Sequence, residues 1–302
     1  MTDFRPASWH EYIGQEKARD RLDVSIQAAL SRGDRMDHVF LYGPPGSGKT
    51  SLASVIAERL QKPFVSVVMP LSDNALRQLV MQNFGVVFLD EIHRASKKQQ
   101  ESLLTLVEDG ELSTSSGYPV TNKDAQFIGA TTERGKVIKP LFDRFPIKPE
   151  FTPYSDDEMG AIAFGMMQKA GIADQYSMNF AIELGMAAGG VPRNVKSMVV
   201  TVRDLMDSGT HLMPDIETVL DTACVTHDGL TTLHVQYLVV MGKNAGNPLG
   251  VKPLATQLQG SEEMIIDIEG LLFQRHYIRY TKSGRELTAE GFKRASQLLG
   301  QT

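Results

Sequence analysis

Val39-Phe-Leu-Tyr-Gly-Pro-Pro-Gly-Ser-Gly-Lys-Thr-Ser-Leu52 is the stretch from which the rest of the chain is read. The apolar run Val39 to Tyr42 predicts a short buried strand. Gly43, Pro44, Pro45, Gly46, Ser47 and Gly48 are too rich in glycine and proline for regular structure. Lys49, Thr50 and Ser51 then open a helix whose Leu52, Ala53, Ile56 and Ala57 recur at helical spacing. Strand, G-x-x-x-x-G-K-T, helix is the phosphate-binding loop in its required context. Glycines let backbone N–H groups close on phosphate oxygens, and the helix N-terminus adds partial positive charge. Lys49 is placed to reach the β- and γ-phosphates, and the Thr50 hydroxyl to ligate Mg²⁺. Gly43, Pro45, Gly46, Ser47, Gly48, Lys49, Thr50 and Ser51 are the candidate contacts to ATP.

A second signal stands about 40 residues further on. Gly85-Val-Val-Phe-Leu-Asp-Glu91 reads as a buried parallel strand ending in two carboxylates. Ligands of open α/β sheets bind at that strand end. Asp90 is placed to hold Mg²⁺ with Thr50, and Glu91 to polarise the attacking water. A solvated acidic strand end is the plain alternative; the phosphate loop upstream turns the pair into a signature of nucleotide hydrolysis. Phe127 to Thr132 predicts another short strand ending in hydroxyls. Its Thr132 could orient a water or the γ-phosphate, or simply end a threonine-rich strand.

The whole chain sets bounds on these readings. At 302 residues two or three domains are expected. Hydrophobic residues at 42% and charged residues at 22% are ordinary for a soluble protein. The N-terminus lacks an apolar signal region, no apolar run is long enough for a membrane span, and Cys224 is the single cysteine. A cytoplasmic protein without membrane partners is expected. A net charge of −5 argues against nucleic acid coating the whole surface but leaves room for a local basic patch.

Residues 1–38 predict a helix from Glu16 to about Arg32, with Leu22, Val24, Ile26, Ala29 and Leu30 as its apolar positions. This segment, with Tyr12 and Ile13 before it, either packs on a nucleotide base or caps the sheet. Residues 64–68 predict a strand, and 72–81 and 97–108 predict helices. The polar stretch 109–127 predicts a hairpin or long loop of functional rather than core character. Arg144 lies between Phe142 and Phe145, either as a surface residue with a packed stem or as an arginine finger. From 153 the pattern turns helical: Ser155-Asp156-Asp157-Glu158 is a capping box, and helices follow over 177–188 and 193–206. Arg193 in a first helical turn opposes the helix dipole, which points to a nearby anion or to a solvated arginine.

Residues 227–302 predict short helices over 231–243 and 251–258 and a longer one from Ser261. Two strands follow, 277–281 and 286–288, joined by 282–285. Three helices and a β-ribbon make the winged-helix pattern. Over 271–294, six basic residues (Arg275, Arg279, Lys282, Arg285, Lys293, Arg294) face two acidic ones (Glu286, Glu290), a net +4 that leaves −9 for the remainder. Arg275, Arg279, Lys282 and Arg285 are therefore the candidate contacts to DNA phosphates.

Together these elements resemble the AAA+ ATPases, and among them the bacterial RuvB family of Holliday-junction branch-migration motors. The most specific stretches are Phe4-Arg5-Pro6, Glu11-Tyr-Ile-Gly-Gln-Glu-Lys17, Asp37-His38-Val39 running into the phosphate loop, Asp90-Glu-Ile-His-Arg94, Ile128-Gly-Ala-Thr-Thr132 and Asp143-Arg144-Phe145. The resemblance implies an α/β fold with an AAA+ parallel-sheet domain (1–152), a helical lid (153–226) and a winged helix (227–302). It implies that Lys49 and Thr50 are Walker A, Asp90 and Glu91 Walker B, Thr132 sensor 1 and Arg193 sensor 2. It implies that Tyr12 and Ile13 line the adenine pocket and that Arg144 acts as finger on a neighbouring subunit's ATP, which requires a ring, expected to be a hexamer. Double-stranded DNA or a four-way junction is the implied substrate. The chain departs from the family's usual residues at Phe142, where the family has Arg, at Pro146, where it has Gly, and at Glu133, where it has Arg. The family's hairpin docks a RuvA partner; the resemblance names that partner, and the short polar 110–126 insertion counts against it. An ATP-switched loader or scaffold without processive movement, like a clamp-loader or initiator subunit, is the alternative function.

Overall fold

The computed structural model describes residues 2–82, 84–112, 118–244 and 247–300. The chain forms two compact units, one of 1–158 with 191–193, the other of 159–190 with 194–302.

The first unit carries α1 (Glu16–Arg32), β1 (Val39–Tyr42), α2 (Lys49–Arg59), β2 (Phe64–Val68), α3 (Asp73–Met81), β3 (Val86–Asp90), α4 (Lys97–Asp109), β4 (Glu111–Leu112), β5 (Val120–Thr121), β6 (Gln126–Thr131) and α5 (Lys139–Asp143). The four long strands pair in parallel in the order β1-β6-β3-β2. Isolated bridges from Val39 to Ile147 and from Tyr42 to Glu150 continue the sheet past β1. All of β6 and the first four residues of β3 are buried, as strands covered on both faces must be. One core layer holds Leu22, Ile26, Leu52, Ile56 and Phe88; the other holds Phe40, Leu89, Leu103, Leu106 and Phe145. On α1 the buried stripe is Ala18, Leu22, Ile26 and Ala29. Val24, expected among its apolar positions, is exposed because it falls off the 3–4 register of that stripe, and Leu30, four residues after Ile26, is exposed in the last turn of the helix.

Serines set the helix starts. The Ser72 hydroxyl accepts from the Ala75 N–H and starts α3, and the Ser96 hydroxyl accepts from the Gln99 N–H and starts α4. The insertion after α4 is the small antiparallel pair β4–β5. Residues 113–117 of the expected hairpin lie outside the described residues.

Later in the chain come α6 (Asp156–Ala170), α7 (Met178–Ala187), α8 (Pro192–Asp207), α9 (Ile216–Ala223), α10 (Thr232–Lys243), α11 (Val251–Gln257), α12 (Glu262–Gln274), β7 (Ile278–Thr281), β8 (Gly284–Leu287) and α13 (Ala289–Gly300). Ser155 and Glu158 exchange side chain-to-backbone bonds, so the expected capping box opens α6. Leu230, Tyr237, Leu238, Leu254, Ile265, Leu272, Ile278, Leu287 and Leu298 form one core, which is the winged-helix arrangement. The ribbon differs in detail from the expectation. β8 begins at Gly284 rather than Glu286, leaving Lys282 and Ser283 as the turn. Arg285, within β8, also pairs antiparallel with Leu249 in an isolated bridge.

Candidate nucleotide site and candidate DNA interface

The loop between β1 and α2 is bent by Gly46 (φ 74°) and Gly48 (φ 93°), both left-handed. A side chain at Gly48 would crowd the hydroxyls of Tyr12 and Tyr154, each 3.1 Å from an ideal Cβ. Lys49 is buried, and its Nζ donates to the carbonyls of Gly43 (2.9 Å) and Pro44 (2.8 Å). Burial holds its pKa below the ordinary lysine value, while Glu91 and Asp90 pull it upward and Arg193 lowers it further. The Ser47 hydroxyl is buried with no partner. A cation folded onto its own loop and an orphaned hydroxyl beside it are what a phosphate would satisfy.

Tyr12 and Tyr154 back the loop. Their hydroxyls lie 3.3 Å apart, and the Tyr154 hydroxyl donates to the Ser47 carbonyl at 3.0 Å. Burial raises the pKa of both phenols. Ile13 is half-buried next to Tyr12. Gln15 fixes the geometry, exchanging two bonds with the backbone of Thr152. Tyr154 was not singled out in the sequence because it lies more than a hundred residues from the loop it touches.

At the end of β3 the Asp90 carboxylate accepts from the Glu91 N–H at 2.9 Å. Burial raises the Asp90 pKa, against that bond and the Lys49 charge. Glu91 is in the left-handed region (φ 49°), a strained position for a residue with a side chain. Its Oε2 accepts from the Thr132 hydroxyl (3.1 Å) and N–H (3.4 Å). His93 Nδ1 lies 3.2 Å from the same oxygen and 2.9 Å from the Thr131 hydroxyl. Its other nitrogen lies 3.2 Å from Glu133 Oε1, and Glu133 pairs in turn with Lys136 at 2.7 Å. Sequence reasoning placed Glu91 and Thr132 but gave His93 no role.

Val191–Arg193 belongs to the first unit. Val191 and the stem of Arg193 sit against Gly46, and Arg193 acts electrostatically on both Lys49 and Asp90. The structure thus brings together Lys49, Asp90, Glu91, Thr132 and Arg193. Thr50 and Ser51 open α2 directly behind Lys49. Among the described residues no three His, Cys, Asp or Glu side chains form a metal cage. The donor set fits Mg²⁺, which keeps several waters and takes one or two protein ligands beside phosphate oxygens.

Arg144 caps α5 at the surface, 47% exposed, and pairs with the exposed Glu108 at 2.9 Å. Of its aromatic neighbours, Phe145 is core and Phe142 is half-buried. Arg134 and Lys148 lie over the Phe142 ring at 4.3 and 4.7 Å.

On the winged helix the candidate DNA contacts divide. Arg285 pairs with Glu269, which is fully buried and also accepts from the hydroxyls of Tyr237 and Tyr280. Arg294 pairs with Asp228, and Arg279 with Glu286. Arg275 donates to the Met186 carbonyl. Glu269 and Asp228 lie outside the window whose charge was counted, so the net +4 overstates the free positive charge. Lys282, in the turn, and Lys293, on α13, are exposed.

The Holliday junction DNA helicase RuvB P-loop domain family matches residues 4–151, and the RuvB C-terminal winged helix domain matches residues 227–295. A curated relative from Nitratiruptor sp., described as Holliday junction branch migration complex subunit RuvB, is 31% identical over 97% of this chain and 91% of its own. The chain belongs to the RuvB family. A second RuvB, from Campylobacter hominis, is 30% identical over 96% of this chain and 89% of its own. The solved RuvB branch-migration motor of Thermotoga maritima superposes with a TM-score of 0.80 at 27% identity, covering 97% of this chain and 98% of that one. The expected AAA+ α/β fold is thereby shown, and with it the P-loop ATPase class of the RuvB members. Among the described residues no helix is long and apolar enough to cross a membrane.

Proposed function

We propose that this chain is an ATP-driven motor on double-stranded DNA that drives Holliday-junction branch migration in recombination and repair. The observation that carries the reading is the convergence of Lys49, Asp90, Glu91, Thr132 and Arg193 in one unit of a chain matching RuvB at both ends. The segments 1–152, 153–226 and 227–302 act as nucleotide domain, lid and DNA-binding domain.

ATP binds with its phosphates against the N–H groups of 43–51, while Tyr12 and Ile13 receive the base. Lys49 leaves the carbonyls of Gly43 and Pro44 for phosphate oxygens. Thr50 and Asp90 would hold Mg²⁺, which would supply neutralisation of phosphate charge. Glu91 takes a proton from the attacking water, Thr132 orients the reacting group, and Arg193 carries the state of the nucleotide to the lid helices. Arg144 completes the site of the adjoining subunit in a closed ring, proposed as a hexamer. Its surface pair with Glu108 is of a kind worth under about 1 kcal/mol and exchanges readily for a phosphate. Lys282 and its neighbours grip the DNA backbone without reading sequence. Of the described hairpin flanks, Tyr118 is the large apolar side chain left exposed, available to a RuvA-like partner.

The test is ATP turnover without DNA, with linear duplex and with a four-way junction, at low and moderate salt. Stimulation by DNA that fades with salt supports the motor. Turnover indifferent to all DNA overturns it in favour of the ATP-switched loader.

A further inference from the structure

Glu91 is the base in the proposed hydrolysis, yet its carboxylate is engaged on one side only. Oε2 accepts two bonds from Thr132 and faces His93, while Oε1 has no hydrogen bond among the described residues. A base that must take a proton from one water needs one oxygen anchored and the other available. Thr132 supplies one wall of the anchor. The other wall is the His93 ring, and that ring is itself fixed at both nitrogens.

Nδ1 of His93 is 2.9 Å from the Thr131 hydroxyl, which also accepts from the Glu133 N–H. Nε2 is 3.2 Å from the Glu133 carboxylate, whose second oxygen is tied to Lys136. The Lys136 bond is the main cause holding the Glu133 pKa below its ordinary value, so Glu133 remains an acceptor. The backbone makes the meeting possible. Glu91 in the left-handed region turns the chain into a short 3-10 turn over Ile92–Arg94, and this returns His93 beneath the side chain two residues before it.

We propose that His93 and Glu133 are positioning residues for hydrolysis: with an N–H on each ring nitrogen the imidazole donates to Glu133 on one side, which anchors it, and on the other fixes Glu91 Oε2 together with Thr132, so that Oε1 is left for the attacking water. The proposal rests on Glu91 being the base. In this role both residues act through Glu91 rather than on the nucleotide.

The test compares steady-state ATP turnover and nucleotide affinity of the full chain with Glu133→Ala, Glu133→Gln, His93→Ala and Glu91→Gln. Glu133→Ala lowers kcat about tenfold, with KM for ATP unchanged within about twofold, because misplacing a reacting group costs rate rather than binding. Glu133→Gln, which keeps an oxygen for Nε2, recovers at least half of the wild-type kcat. His93→Ala matches or exceeds the loss in Glu133→Ala. Glu133 is half exposed, so Glu133→Ala carries the test if His93→Ala fails to fold. Wild-type kcat in Glu133→Ala, a KM change in step with kcat, or no recovery in Glu133→Gln overturns the positioning role. Turnover surviving in Glu91→Gln overturns the reading of Glu91 instead, whichever way the other variants behave.

Discussion

Arg285 places its guanidinium on both oxygens of Glu269, Nε at 2.7 Å and a terminal nitrogen at 3.0 Å, and Glu269 has no solvent exposure. The arginine raised as a DNA contact therefore holds the wing to α12. A buried carboxylate left without its cation costs about 3–5 kcal/mol, whereas the intact pair contributes far less than that. Arg285→Ala should lose that much in chemical denaturation, and its loss of DNA binding would report unfolding. Lys282→Ala should leave stability within about 0.5 kcal/mol. In DNA-binding titrations it should lower the slope of log affinity against log salt by about one. Equal stability of the two variants would refute the division.

Tyr154 donates to the Ser47 carbonyl and meets the Tyr12 hydroxyl inside the protein. Tyr154→Phe leaves a buried carbonyl and a buried phenol without that partner. The expected cost is about 1–3 kcal/mol, read as a lower denaturation midpoint without nucleotide. An unchanged midpoint would show that the pair does not brace the loop.

His38 is buried, and burial first, then Arg35, lowers its pKa to about 3. The unfolded chain carries an ordinary histidine near 6.5, so below that pH it takes up a proton that the native chain refuses. Stability is full above about pH 6.5 and declines as pH falls towards 3, by about 1.4 kcal/mol per unit once below 6.5. Between pH 7.5 and 5.5 this group alone should remove about 1.4 kcal/mol. His38→Asn should flatten that part of the stability profile, and an identical profile in the variant would exclude His38 as its source.

Arg144→Ala should fold as stably as the wild type, because among the described residues its ion pair is the exposed one with Glu108. Its ATP turnover alone should fall by about a thousandfold, in line with fingers of other NTPases. Mixing it with Lys49→Ala subunits should restore activity, since a site with Lys49 can then border a subunit with Arg144. Mixtures as inactive as either variant would remove the finger from Arg144.

The phosphate loop, the acidic end of β3 and the threonines of β6 were legible because each is a short run in which local order and chemistry coincide. Serine caps gave the helix starts for the same reason. Pairings across long separations were not legible. Nothing near Arg285 in sequence announces Glu269, and nothing near Ser47 announces Tyr154. The window count over 271–294 failed on this point, since two of its arginines answer to acids at 228 and 269. His93 escaped for a subtler reason: its partners Glu91 and Glu133 are on different strand ends, and only the parallel pairing of β3 with β6 makes them neighbours.

Before any nucleotide arrives, Lys49 already has occupants for its charge in the Gly43 and Pro44 carbonyls. An incoming molecule must therefore win the lysine from the protein's own backbone. AMP brings no β-phosphate and offers no replacement for those two carbonyls; ADP and ATP do. Rejection of monophosphates would in this way follow from the loop at rest, before a triphosphate is ever seen.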